Sequence, residues 1–127
     1  MEVTEIVKGV ITKAITFYAE KAAIDRRKVQ LSLFVDANNN NNAGSKILVN
    51  YQFADDLKIK SMLGFYSLMY GVVNSTICKS IERYAVEFSV TPYNILAMFW
   101  LNNGALDGWI YVNGEAKKKI NIEDIIT

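Results

Sequence analysis

The chain has 127 residues, is 51% hydrophobic and 21% charged, and carries a formal net charge of +1. That length is enough for one domain, residues 1–127, to bury a core without disulfide or metal staples, and the composition excludes a disordered chain. The near-neutral charge supplies no global field that would steer the protein to nucleic acid or to an anionic surface.

The chain has no histidine. Its own residues therefore offer no imidazole base and lack the commonest transition-metal ligand, so Ser-His-Asp and Cys-His mechanisms are excluded. Its only cysteine, Cys78, cannot close an internal disulfide, which fits a reducing compartment. Glu2, Thr4 and Glu5 do not make the basic opening of a secretory signal. A cytoplasmic location without a bound cofactor or metal is the expectation.

In chain order, Ile6, Val7, Val10, Ile11, Ala14, Ile15, Tyr18 and Ala22 recur at three- and four-residue steps and predict a helix. Thr4 is its expected N-cap, and Arg26, Arg27 and Lys28 follow its far end, where cations are favoured. The period then becomes two. Val29, Leu31, Leu33 and Val35, and later Ile47, Val49, Tyr51 and Phe53, predict an antiparallel hairpin around the asparagine run at 38–42. That loop is expected to be exposed and mobile. Asp36, Asn38 and Asn40 match the opening of a calcium loop, but Asn41 and Ile47 stand where glycine and a bidentate glutamate are needed.

Residues 61–88 predict a long helix with a stripe of small side chains, Gly64, Ser67, Gly71, Ser75 and Cys78. Small residues admit a second backbone at close range. Either that packing or a break near Gly71 would offset the two glycines. Thr91 and Pro92 predict the start of a further, short helix through Leu101. Asn113-Gly114 predicts a hairpin turn between residues 109–112 and 117–122, with a bulge or longer connection. No internal repeat of useful length is evident. The reading is an α+β fold in the order α-β-β-α-α-β-β, with an antiparallel sheet of two hairpins against the long helix.

Three kinds of function fit. Aromatic and polar groups at Arg83, Tyr84, Asn94, Trp100, Asp107, Trp109 and Tyr111 are candidates for holding a planar, nucleotide-like ligand. With the small-residue stripe as a contact between copies, they predict a non-enzymatic homo-oligomer, such as a homodimer, that binds a small molecule or inhibits a protein partner. The alternatives are an enzyme using carboxylate chemistry around Arg83, Asp107 and Trp109, or nucleic-acid binding through residues 26–28 and 117–119. The two uncharged stretches, 61–78 and 88–106, are diluted by polar residues and glycine and read as buried core rather than membrane spans. Abundant Asn, Ile and Lys suggest an AT-rich genome, which associates the chain with phages and mobile elements.

Overall fold

The buried stripe of Ile6, Val7, Val10, Ile11, Ile15 and Ala19 forms helix α1 (Val3–Ala22). Its N-cap is Glu2, without a side-chain hydrogen bond, so the predicted cap Thr4 lies inside the first turn. At the other end Ala23 adopts a left-handed conformation, φ 57°, and its N–H donates to the carbonyls of Ala19 and Glu20. The computed structural model describes residues 2–127. The further elements are β1 (Val29–Asp36), β2 (Asn42–Val49), β3 (Gln52–Asp56), α2 (Ile59–Leu63), α3 (Tyr70–Glu87), β4 (Ile95–Asn102), β5 (Ala105–Val112), β6 (Glu115–Ile120) and α4 (Glu123–Ile126). The α+β class and the helix packed across an antiparallel sheet are as the sequence indicated.

The six strands form one sheet in the order β3-β2-β1-β4-β5-β6, every neighbouring pair antiparallel. Each predicted hairpin is thus two strands of a three-stranded meander. The asparagine loop is tighter than expected. A 3-10 turn over Ala37–Asn39 is held by Asp36, whose carboxylate accepts from the Asn38 N–H, and Asn40 and Asn41 take left-handed φ of 54° and 58°. Asparagine tolerates that region better than other residues with a Cβ, which is why a run of them can make the turn.

Three stretches differ from the sequence reading. The strand predicted through Ile47, Val49, Tyr51 and Phe53 is cut after Val49 by a turn in which Asn50 and Tyr51 take left-handed φ of 51° and 64°, and Phe53 belongs to β3. The helix predicted over 61–88 is broken. A 3-10 segment, Gly64–Met69, separates α2 from α3, with Gly64 at φ 53° and Tyr66 outside helical geometry. The break therefore falls before Gly71. The predicted short helix after Pro92 is a single 3-10 turn, Pro92–Asn94, followed by strand β4. An apolar run such as Ile95 to Leu101 suits a buried helix and a central strand equally well. Pairing with β1 on one side and β5 on the other selects the strand.

The structure also contains the repeat that the sequence reading did not detect. Helix, left-handed cap, 3-10 turn, three-stranded meander and short helix occur twice, as α1-β1-β2-β3-α2 and α3-β4-β5-β6-α4. The shift that carries Val7 onto Val73 also carries Ile11 onto Ile77, Ile15 onto Ile81, Tyr18 onto Tyr84 and Ala19 onto Ala85. It carries Ala23 onto Ser89, left-handed at φ 57° in both cases. The β-bulges coincide as well, between Ile47 and Leu48 and between Ile110 and Tyr111. Outside the helix stripe the two halves share hydrophobic pattern more than identity, so self-similarity is weak to the eye.

The core lies between α1 and α3 and one face of the sheet. Val7, Ile11, Ile15, Val73, Ile77 and Ile81 meet Leu31, Leu33, Ile95, Phe99 and Ile110, all fully buried. The halves solve one packing position differently. Leu33 sits opposite Ser45, whereas Phe99 sits opposite Gly108. A larger side chain on β4 is matched by the loss of one on β5, as a core of fixed volume requires. Helix α4 is fastened to α3 by the buried Ser80 hydroxyl, which donates to the Ile125 carbonyl at 2.6 Å.

A methyl group at Gly108 would stand 2.6 Å from Cε1 of Phe99 and 3.2 Å from Cγ1 of Ile120. Gly108→Ala is therefore expected to lower the unfolding free energy by about 1–3 kcal/mol through overpacking. At the exposed helical position Gly71 a Cβ meets nothing within 4 Å. Gly71→Ala is expected to raise stability, by up to ~1 kcal/mol from helix propensity. Urea unfolding of the two variants beside the parent chain checks both signs.

Candidate functional site on the helix-free face of the sheet

Strand alternation sorts the sheet residues into two faces. Val29, Leu31, Leu33 and Val35 of β1 and Ile95, Ala97, Phe99 and Leu101 of β4 join the core under the helices. Gln30, Ser32 and Phe34, and Leu96, Met98 and Trp100, therefore point the other way. In register beside them stand Lys46 and Leu48 of β2, Phe53 of β3, and Asp107, Trp109 and Tyr111 of β5. Among the described residues no helix packs on this face. At its centre Gln30, Ser32 and Met98 are nonetheless buried, screened by neighbouring side chains, while Tyr51 and Phe53 are largely exposed.

Of the seven residues proposed from the sequence as a ligand site, four are on this face: Trp100, Asp107, Trp109 and Tyr111. Trp100 is the register partner of Asp107 and makes an edge-to-face contact with Tyr51 at 6.5 Å between ring centroids. Asp107 accepts a hydrogen bond from the Asn102 amide at 3.0 Å. Burial pushes the Tyr111 hydroxyl above its ordinary pKa, so it stays a neutral phenol.

The other three do not join them. Arg83 and Tyr84 are on α3, across the core. Arg83 donates to the Asp124 carbonyl at 2.8 Å and stacks 5.4 Å from the Tyr84 ring, so it holds α4. Tyr84 is buried, and desolvation raises its pKa. Asn94 ends the 3-10 turn before β4, where its amide donates to the Thr91 hydroxyl at 3.2 Å. Arg83 on α3 is thus on the opposite side of the sheet from Asp107 and Trp109.

The small-residue stripe is also divided. Gly64 and Ser67 are in the 3-10 break, and Gly71, Ser75 and Cys78 are on α3. Among the described residues no other element packs against the two glycines, since a Cβ at either would meet nothing within 4 Å. Cys78 is half-buried, and its thiol donates to the Asn41 carbonyl at 3.4 Å. Desolvation first, and then Glu82, push its pKa up, which disfavours the nucleophilic thiolate.

Both basic clusters have internal partners. Arg27 is bridged to Asp25 at 2.6 Å. Lys117 pairs with Glu115 and Lys118 with Glu87, on the edge strand β6. Lysines on an exposed edge oppose sheet-to-sheet aggregation, the role that strand position predicts for them.

Sequence reasoning missed the half of the face contributed by Ser32, Phe34, Lys46, Leu48 and Phe53. Ser32, Phe34, Lys46 and Leu48 alternate with the predicted core positions of the first hairpin, which is the usable signal. Phe53, predicted in phase with Ile47 and Val49, is turned to this face by the bulge between Ile47 and Leu48 and the turn at Asn50 and Tyr51. Compared with known proteins, the chain matches no family model, no curated sequence and no solved structure.

Two local titrations follow from this geometry. Hydrogen bonds from the Arg27 side chain and backbone lower the Asp25 carboxyl from its ordinary 3.8 to about 2. A depressed carboxylate stabilises the fold above its unfolded pKa and loses that contribution as pH falls through the folded one. Carboxyl NMR of Asp25 should show a midpoint near 2, returning toward the ordinary value in Arg27→Ala. The raised Cys78 pKa predicts slower alkylation by iodoacetamide at pH 8 in the folded chain than in urea, measured by mass spectrometry.

Proposed function

We propose that this chain is a non-enzymatic binding protein that acts as a homo-oligomer and uses the open face of its sheet to hold a small molecule or a protein partner. The observation that carries the reading is that face. One side of a six-stranded sheet is covered by helices, and the other presents Phe34, Leu48, Tyr51, Phe53, Leu96, Trp100, Trp109 and Tyr111 without a covering element. Antiparallel sheets normally turn a polar side to water. An aromatic side instead marks a binding surface.

Support for self-association comes from the break between the two halves. Phe65 is 96% and Leu68 100% exposed, and Val72 on the next turn is exposed as well. The position equivalent to Val72 in the first half is Ile6, which is buried. Gly71 and Ser75 stand beside this apolar tip with open space around them. Together they form a surface on which a second copy can pack closely, without a gap left by large polar side chains.

Native mass spectrometry of gently purified protein checks both parts. The expected result is a dimer or larger assembly carrying the mass of a co-purified molecule. In Phe65→Ser/Leu68→Ser the assembly should dissociate to monomers. In Trp100→Ala/Trp109→Ala it should persist and lose the extra mass. A bare monomer at high micromolar concentration would overturn the homo-oligomeric reading.

A further inference from the structure

An open slot crosses the sheet face where β1, β2, β3 and β4 meet. It has a volume of about 250 Å³ and is lined by Ser32, Phe34, Lys46, Leu48, Phe53, Tyr93, Leu96 and the edge of Val35. That is just below the ~300 Å³ at which pockets for drug-sized ligands begin, so its occupant is small. The walls are apolar and largely aromatic. Tyr93 is held at the rim by donating its hydroxyl hydrogen to the Asn41 side-chain oxygen at 2.7 Å.

The lining carries one charge. The Lys46 ammonium stands 5.2 Å from the Phe34 ring centroid and 5.5 Å from that of Phe53. Those two rings hold it at the slot and limit its freedom, as cation–π contacts do. Asp56 is its register partner on β3, yet Lys46 belongs to none of the ion pairs among the described residues.

Ser32 supplies a second polar group. It is only 2% exposed, and no group among the described residues hydrogen-bonds its hydroxyl. No fully enclosed side-chain oxygen among the described residues lacks a partner. The Ser32 hydroxyl therefore reaches open space, and the space it lines is the slot. Water or a ligand in the slot can thus meet it.

We propose that this slot binds a small monocarboxylate with an apolar, planar body, its carboxylate between Lys46 and Ser32 and its body between Phe34, Phe53, Leu48 and Leu96. The chemistry follows the lining. An ammonium outside any ion pair and a hydroxyl satisfy one carboxylate, and the apolar walls exclude a second charge or a sugar-phosphate. The inference rests on the open face being a binding surface and assigns organic acids to the slot part of it, apart from the Trp100 and Trp109 part.

The test titrates the isotope-labelled chain with 3-phenylpropionate and, separately, with 3-phenylpropanol, following amide shifts by NMR. The acid should give saturable shifts confined to the slot residues. The alcohol should bind at least about tenfold more weakly, the loss that a charge-assisted hydrogen bond implies. Lys46→Met should remove the preference for the acid while keeping the alcohol's affinity, and Ser32→Ala should weaken the acid alone. Equal affinity of acid and alcohol, an unchanged preference in Lys46→Met, or shifts centred on Trp109 would overturn the proposal. So would the lack of any saturable shift at millimolar acid. The assembly state and the mass lost in Trp100→Ala/Trp109→Ala are read independently of this slot, so the two proposals can fail separately.

Discussion

Strands β1 and β4 meet along the middle of the sheet through the pairs Gln30↔Trp100, Leu31↔Phe99, Ser32↔Met98 and Leu33↔Ala97. Every larger feature depends on this junction. It joins two three-stranded meanders into one sheet, and it brings α1 and α3 side by side over a single core. It also leaves β3 and β6 as the edges. Contacts distant in sequence cost loop-closure entropy before they contribute. Here that cost is met by a seam apolar on both sides, with Leu31, Leu33, Ala97 and Phe99 beneath the helices and Met98 buried above.

The same junction explains why the helix-free face is not uniform. The two halves have equivalent strands but different side chains at equivalent points. Phe34 corresponds to Trp100, Ser32 to Met98 and Lys46 to Trp109. The first half therefore presents a slot with a charge and a hydroxyl, and the second a broader aromatic surface. The two halves agree where the helices pack and differ on the outer face, since a close-packed core restricts side chains more than the other face does.

Side chains that look chemically suggestive on the helical side are used for structure. Arg83 and Ser80 bind the carbonyls of α4, whose last turn would otherwise leave those acceptors unpaired. Asn74 joins α3 to the start of β2 by accepting from the Ala43 N–H at 2.6 Å and donating to the Asn42 side chain at 3.1 Å. These bonds locate short elements that lack the length to form independently. They account for the polar residues of α3 without a ligand.

Local periodicity was enough for α1, for the strand β1, and for the Asn113-Gly114 turn. Each depends on contacts or dihedral preferences within a few residues. The left-handed φ of 50° at Asn113 and 83° at Gly114 are what that dipeptide favours. Trp100, Trp109 and Tyr111 were legible as candidates because they are aromatic groups able to stack a planar ligand. A break near Gly71 was one of the two ways to offset the glycines, and the structure places it at Gly64–Met69. The strand identity of residues 95–102 and the separation of Arg83 from Asp107 were not legible. An apolar run without charges satisfies helix and strand alike, and only the strand neighbours on either side choose between them. Which polar residues share a surface depends on the β1–β4 seam, a contact between the two halves that no spacing within either half encodes.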